Sequence, residues 1–165
     1  FSPTAADMAH HDGDEATSIQ RTRTVNDLIH RVCTLFPDSF IGVCQLPQSP
    51  GVSPASCIAE LERCVDTMGF VVCNLNPDPS DGYWTDPPVT DPSWYPLYEK
   101  MVAMDVPALI HGAACKNLRE SFHNHFITEE SIYFKLTKQC ILRQVHYFRR
   151  RNRYNRGFWG RSCYI

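Results

Sequence analysis

Three short apolar runs most constrain the fold: FIGVCQLP (40–47), FVVCNLN (70–76) and VPALIHGA (106–113), with starts 30 and 36 residues apart. Each is apolar or β-branched at nearly consecutive positions, the pattern of strands buried on both faces. Helix patterns with clear punctuation lie between them. Ser53 caps, Pro54 takes the first helical position, Ile58, Leu61, Val65 and Met68 keep one face apolar, and Gly69 stops the helix. The next helix begins at Asp91-Pro92 and carries Trp94, Leu97, Tyr98, Met101 and Met104 on one side. Upstream, Val25, Leu28, Ile29, Val32 and Leu35 mark a helix closed by Pro37. The alternation predicts βα units feeding a parallel sheet, either doubly wound or part of a (β/α)8 barrel. No GxGxxG or GxxxxGK(S/T) follows a strand, so the nucleotide-binding versions lose weight and the barrel gains it.

A chain of 165 residues suits one domain and buries roughly 70% of its unfolded surface at this size. No apolar run reaches the roughly 18 residues of a membrane span, so no membrane partner is expected. The start, FSPTAADMAHHDGDEA, has no basic n-region or apolar h-region; it is not read as a signal peptide, and a cytoplasmic location is expected. It also lacks an initiator Met, which points to a fragment or a processed product. Eight cysteines (33, 44, 57, 64, 73, 115, 140 and 163) are scattered without CxxC or zinc-finger spacing and are expected to be buried, reduced thiols.

The charge is unevenly placed. Residues 1–134 hold 7 Lys/Arg against all 18 Asp/Glu, a balance of −11, whereas residues 135–165 hold 9 Lys/Arg and no acid, a balance of +9. In that tail Arg149–Arg151, Arg153 and Arg156 interleave with Tyr147, Phe148, Tyr154, Phe158 and Trp159. Cations for phosphates mixed with rings for bases are what single-stranded nucleic-acid binders use. No RNP, KH or zinc-knuckle pattern supports that use, and a shifted reading frame or a truncated gene would also produce such a tail.

In parallel α/β folds the chemistry sits at the C-terminal ends of the strands. Gln45, then Asn74 and Asn76, then His111 stand there, and the long Pro-, Asp- and aromatic-rich loop NPDPSDGYWTDPPVTDPSW is expected to cover them or to form a rigid surface. His10-His11 are adjacent, and His123 and His125 form an HxH pair whose members share a side in an extended segment. His30, on the apolar side of its helix, reads as structural. A catalytic zinc needs about three protein ligands and one open position.

LPQSPGVSPASCIAELERCV, NLNPDPSDGYWTDPPVTDPSWYPLYEKMV and VPALIH together resemble the amidohydrolase-related family, in its 4-oxalomesaconate hydratase branch of lyases. The likeness runs from residue 1 to about 134. It implies a partial (β/α)8 TIM-barrel-like α/β fold over residues 1–134, about three parallel strands with flanking helices, followed by a divergent tail over 135–165. It implies zinc, or another divalent metal, with His111 as a ligand, and a small dicarboxylate substrate that gains water across an enol or enone. Asn74, Asn76, His10 and His11 match positions at the family's substrate mouth, and His125 reads as the remnant of its TGxHY-like stretch. The family's first HxH ligand pair and its later-strand ligands have no counterpart in the sequence, and Thr4 stands where the family usually has an arginine. Weak metal binding and impaired or absent turnover are therefore expected of this chain, with self-association through exposed barrel edges. A metal-dependent decarboxylase or hydrolase of the same superfamily is the rival reading; a non-catalytic protein with a nucleic-acid-binding tail is another.

Overall fold

The computed structural model describes residues 1–3, 8–110 and 132–134. Thr4, His111, His123, His125, three of the cysteines and the basic tail lie outside the described residues.

The first helix, α1 (Glu15–Leu35), starts where Asp14 accepts a 2.8 Å bond from the Thr17 backbone N–H, satisfying one of the orphan donors of the first turn. It ends at Phe36, just before Pro37. The apolar stripe expected on this helix faces the core only in part. Ile29 is 2% exposed, but Leu28 and Leu35 are 57% and 62% exposed, and the buried column is Ser18, Thr22, Asn26 and Ile29. The rotation follows from Asn26, whose side chain bonds the backbone of Gln45 and the Glu60 carboxylate and so turns a polar face inward.

Strand β1 (Val43–Cys44) follows, and then the second helical stretch: a 3-10 turn (Pro54–Cys57), α2 (Ile58–Glu62) and a π turn (Arg63–Thr67). Ser53 accepts from the Ala55 N–H at its start. At its end Gly69 takes φ +70, and the Gly69 and Phe70 N–H groups bond back to the Val65 and Cys64 carbonyls. That reversal needs a residue without a Cβ, as the sequence predicts. Strand β2 (Val72–Leu75) leads through the long loop to a 3-10 turn (Pro92–Trp94) capped by Asp91, helix α3 (Tyr95–Ala103) and strand β3 (Ala108–Ile110).

β1, β2 and β3 pair in parallel and in chain order, Val43 beside Val72 and Cys73 beside Ala108. Two additions flank them. The Phe1 amine donates to the Ile41 carbonyl, and the Val43 N–H donates to the Phe1 carbonyl. Those two bonds straddle residue 42 as in a parallel ladder. On the other side a short strand, β4 (Ile132–Phe134), pairs antiparallel with β3, which an all-parallel reading does not foresee. Both edges of the parallel trio are thus occupied, and the liability of an open edge moves outward.

One contiguous core joins Ile29 of α1, Cys44 and Leu46, Cys57, Leu61 and Cys64, Cys73 and Leu75, Leu97 and Met101 of α3, and Ala108. Gly42 is required by that packing. A Cβ there would fall 2.3 Å from the buried Phe70 ring. Cys44, Cys57, Cys64 and Cys73 are buried free thiols, and Cys33 is a half-buried one, as expected for the described cysteines. Among the described residues no helix is long and apolar enough to cross a membrane.

Candidate active site

The C-terminal ends of β1 and β2 carry a layer of buried polar side chains: Gln45, Gln48, Asn74, Asn76, Asp78 and Ser80. Parallel strands put their carbonyl ends on one rim, and side chains that face inward there need partners other than water. The segment at the start of the chain supplies some of them. The Pro3 carbonyl accepts from Gln45 Nε2 at 2.7 Å and from Asn74 Nδ2 at 3.1 Å, while Ser2 Oγ accepts from Asn74 Nδ2 at 2.9 Å. Both amide side chains thereby turn their donors onto the first segment. Asn74 Oδ1 is buried with no hydrogen-bond partner among the described residues. It is an acceptor held at the strand end and free to take a donor.

The rim is fixed from behind and above. Asn26 Nδ2 donates to the Gln45 carbonyl at 3.0 Å, and its Oδ1 accepts the Gln45 N–H at 2.8 Å, so one side chain satisfies both backbone polar groups of the residue where β1 ends. Gln48 does the same for Asn76, donating to its carbonyl at 2.7 Å and accepting its N–H at 2.9 Å. Asn76 Oδ1 accepts from the Asp78 N–H.

Asp78 then organises the loop after β2. Its carboxylate accepts the backbone N–H groups of Ser80, Gly82 and Trp84 at 3.0, 2.6 and 3.3 Å, together with the Ser80 hydroxyl. The segment is a nest of amides around one anion, which permits left-handed backbone at Asp81 (φ 58) and at the bulky Trp84 (φ 53). The loop is therefore built around Asp78, and Asp78 and Ser80 are buried.

His10 and His11 sit in a turn before α1, with Ala9 at φ 48. Arg21 of α1 holds that turn, donating to the carbonyls of Met8, Ala9 and Asp12. His10 is 2% exposed and shares a 2.8 Å hydrogen bond between Nδ1 and Ser18 Oγ. Burial, then the charge of Arg21 and then His11, press its pKa down to about 4. At neutral pH it is an uncharged imidazole, a donor and acceptor rather than a cation. His11 Nε2 lies 3.7 Å from the carboxylates of both Asp12 and Asp81, which joins this turn to the loop after β2. The structure thus brings Asn74, Asn76 and Gln45 onto one rim and ties His11 to the loop after β2. His111 and His125 lie outside the described residues; His111 follows directly on Ile110, where β3 ends.

Sequence reasoning missed Asn26, Gln48, Asp78 and the Pro3 carbonyl. Asp78 had a signal in the Asx-turn chemistry of NPDPSDG; a backbone carbonyl leaves none. A second missed network backs the rim. Glu60 accepts from Asn26 at 2.8 Å, from Arg23 at 3.2 Å and from Arg63 at 2.9 and 2.7 Å, and Arg63 also reaches Asp27 at 2.8 Å. Burial pushes the Glu60 carboxyl up, but the bonds from Arg63 and Asn26 outweigh it and hold the group below its ordinary value. For a divalent metal the described residues are not sufficient: no group of three or more His, Cys, Asp or Glu among them could hold one.

The amidohydrolase family model matches residues 1–146. The chain is 49% identical over 135 residues to a 2-keto-4-carboxy-3-hexenedioate hydratase of Sphingobium sp. strain SYK-6, covering 81% of this chain and 40% of that protein. It is 30% identical over 99 residues to a gamma-resorcylate decarboxylase of Rhizobium radiobacter, covering 59% of this chain and 29% of the relative. Among solved structures, 4-oxalomesaconate hydratase from Rhodopseudomonas palustris superposes with a TM-score of 0.61 at 56% identity, over 67% of this chain and 32% of that one. The chain thus spans well under half the length of these relatives, and its unclosed parallel sheet is part of a (β/α)8 barrel. It belongs to the amidohydrolase family.

Proposed function

We propose that this chain is part of a cytoplasmic metal-dependent lyase that adds water across the enol or enone of a small dicarboxylate formed by aromatic-ring cleavage. The 49% identity to the Sphingobium hydratase carries the reading, because it spans the whole polar rim. In the reaction a water oxygen bonds to one carbon of the double bond and a proton goes to its neighbour. Zinc, or another divalent metal, would polarise the substrate or the water, and His111, by its resemblance to the family's metal-binding histidine, would be one residue holding it. Asn74 Oδ1 accepts a hydrogen bond from substrate, neutral His10 lines the mouth without opposing a cation, and the Asp78 loop excludes bulk water above Asn76.

A chimera tests this: residues 1–110 replace the matching segment of the Sphingobium hydratase, and hydration of 2-keto-4-carboxy-3-hexenedioate is followed. A folded chimera is expected to hydrate that substrate, and Asn74→Ala within it to lower kcat/KM by roughly 10- to 100-fold, the cost of one buried substrate hydrogen bond. The rival decarboxylase reading has the 30% identity to the Rhizobium enzyme behind it. A folded chimera that released carbon dioxide from 2,6-dihydroxybenzoate, or did neither reaction, would overturn the proposal. The isolated 165-residue chain is expected to bind zinc weakly and turn over poorly; stoichiometric zinc with hydratase activity in it would contradict that expectation.

A further inference from the structure

A small cavity of about 30 Å³ lies beside the rim, between the loop after β1 and the loop after β2. Ser49, Asp86, Pro54, Cys57, Pro79 and Trp94 are among the residues around it. Three of its lining side chains carry buried oxygens with no hydrogen-bond partner among the described residues, Ser49 Oγ, Asp86 Oδ2 and Ser93 Oγ. Ser49 is only 5% exposed. The other Asp86 oxygen is engaged, accepting the Gly51 N–H at 2.6 Å.

Leaving such groups unpaired costs about 1–3 kcal/mol each, and more for a carboxylate. A native fold does not hold that penalty without compensation. A water needs roughly 10–15 Å³ and two to four polar partners, and the cavity offers the room, a carboxylate acceptor and two hydroxyls that can donate or accept. An anion is repelled by Asp86. A hard cation wants six or more oxygens, and one carboxylate with two hydroxyls falls short.

We propose that this cavity is a site for one ordered water that bridges Ser49 Oγ and Asp86 Oδ2. The water ties the loop after β1 to the loop after β2, acting as a positioning bolt for the rim that Gln48 and Asn76 share. It donates to the Asp86 carboxylate and bonds the Ser49 hydroxyl, so both loops move together. The site lies beside the proposed substrate mouth and does not depend on which reaction runs there.

Two measurements on the full chain test it. In a high-resolution crystal structure, a density peak within about 2.6–3.2 Å of both oxygens is expected, and it should vanish in Ser49→Ala while the Gly51–Asp86 bond stays. No peak, or one at the roughly 2.3–2.6 Å of a coordinated calcium, overturns the proposal. In solution, a double-mutant cycle reads the same bridge through urea unfolding of Ser49→Ala, Asp86→Ala and the pair. The urea midpoint of the double variant is expected to fall no further than that of the worse single variant, because either change releases the water. Additive falls in midpoint would show that the two residues act independently and sink the idea.

Discussion

At the scale of single residues, Asp78 and His10 have the clearest consequences. One carboxylate accepts three backbone N–H groups and a hydroxyl, with Trp84 held in left-handed backbone beside it. Asp78→Ala would orphan all of them, and charge-assisted bonds of this kind are worth about 1.5–3 kcal/mol each before solvent replaces them. We expect a net loss of about 2–3 kcal/mol in urea unfolding and new protease cleavage between residues 78 and 86; unchanged cleavage would mean that the loop is held by something else. His10 makes a prediction about pH. Its folded pKa, about 4, lies below its ordinary 6.5, so the unfolded chain takes up a proton first as pH falls. Stability from this group is complete above pH 6.5, drains between 6.5 and about 4, and changes no further below. The total is on the order of 3 kcal/mol. Because carboxylates titrate in the same range, the measurement is the difference between the chain and His10→Asn. That difference should slope with pH over this window and be flat above it.

At the scale of elements, α1 shows what a sequence discloses and what it hides. The strand runs and the caps of α2 and α3 are local signals, Ser53, Gly69 and Asp91 among them, and they appear where their residues predict. The orientation of α1 was not legible, because it is set by partners 19 and 34 residues away that Asn26 meets only in the folded chain. Strand β4 was hidden for a similar reason: three residues pairing over a long separation carry no periodicity. The strand-end rule found Gln45, Asn74 and Asn76; it could not find Asn26 or Pro3, whose roles lie in backbone geometry. Asn26→Asp tests the α1 anchor. The new carboxyl would face Glu60 Oε1, 2.8 Å from the present Nδ2, and would lose the donor to the Gln45 carbonyl. A buried like-charge pair without its donor costs about 3 kcal/mol or more. Protonating the new carboxyl restores the donor, so the deficit should shrink as pH falls from 7 toward 5. A deficit independent of pH would mean that lost packing, not charge, is responsible.

At the scale of the molecule, the question is whether this much of a barrel behaves as one cooperative unit. The core argues that it does. Cys44 on β1, Cys57 and Cys64 flanking α2, and Cys73 on β2 all lie in a single buried cluster, each no more than 1% exposed. Burial pushes the Cys57 thiol up to about 12 and also raises Cys44 and Cys73. A thiol with that pKa is about one part in ten thousand thiolate at pH 8, and only the thiolate is alkylated. Reaction with iodoacetamide must therefore wait for an opening that both exposes and rehydrates the sulfur. If the βα units open independently, Cys57 and Cys64 on the helical layer should react well before Cys44 and Cys73 in the sheet. If the core opens as a whole, the four share one rate, and added urea accelerates all four in parallel. The contiguous packing of α1, the sheet, α2 and α3 around these residues predicts the shared rate. Half-buried Cys33 of α1, packed against the edge of that core, should react first, outside that common opening. Peptide mapping by mass reads each site separately, and a spread of more than about tenfold among the four, equivalent to about 1.4 kcal/mol of differential opening, would show that this segment of barrel is a set of loosely coupled units.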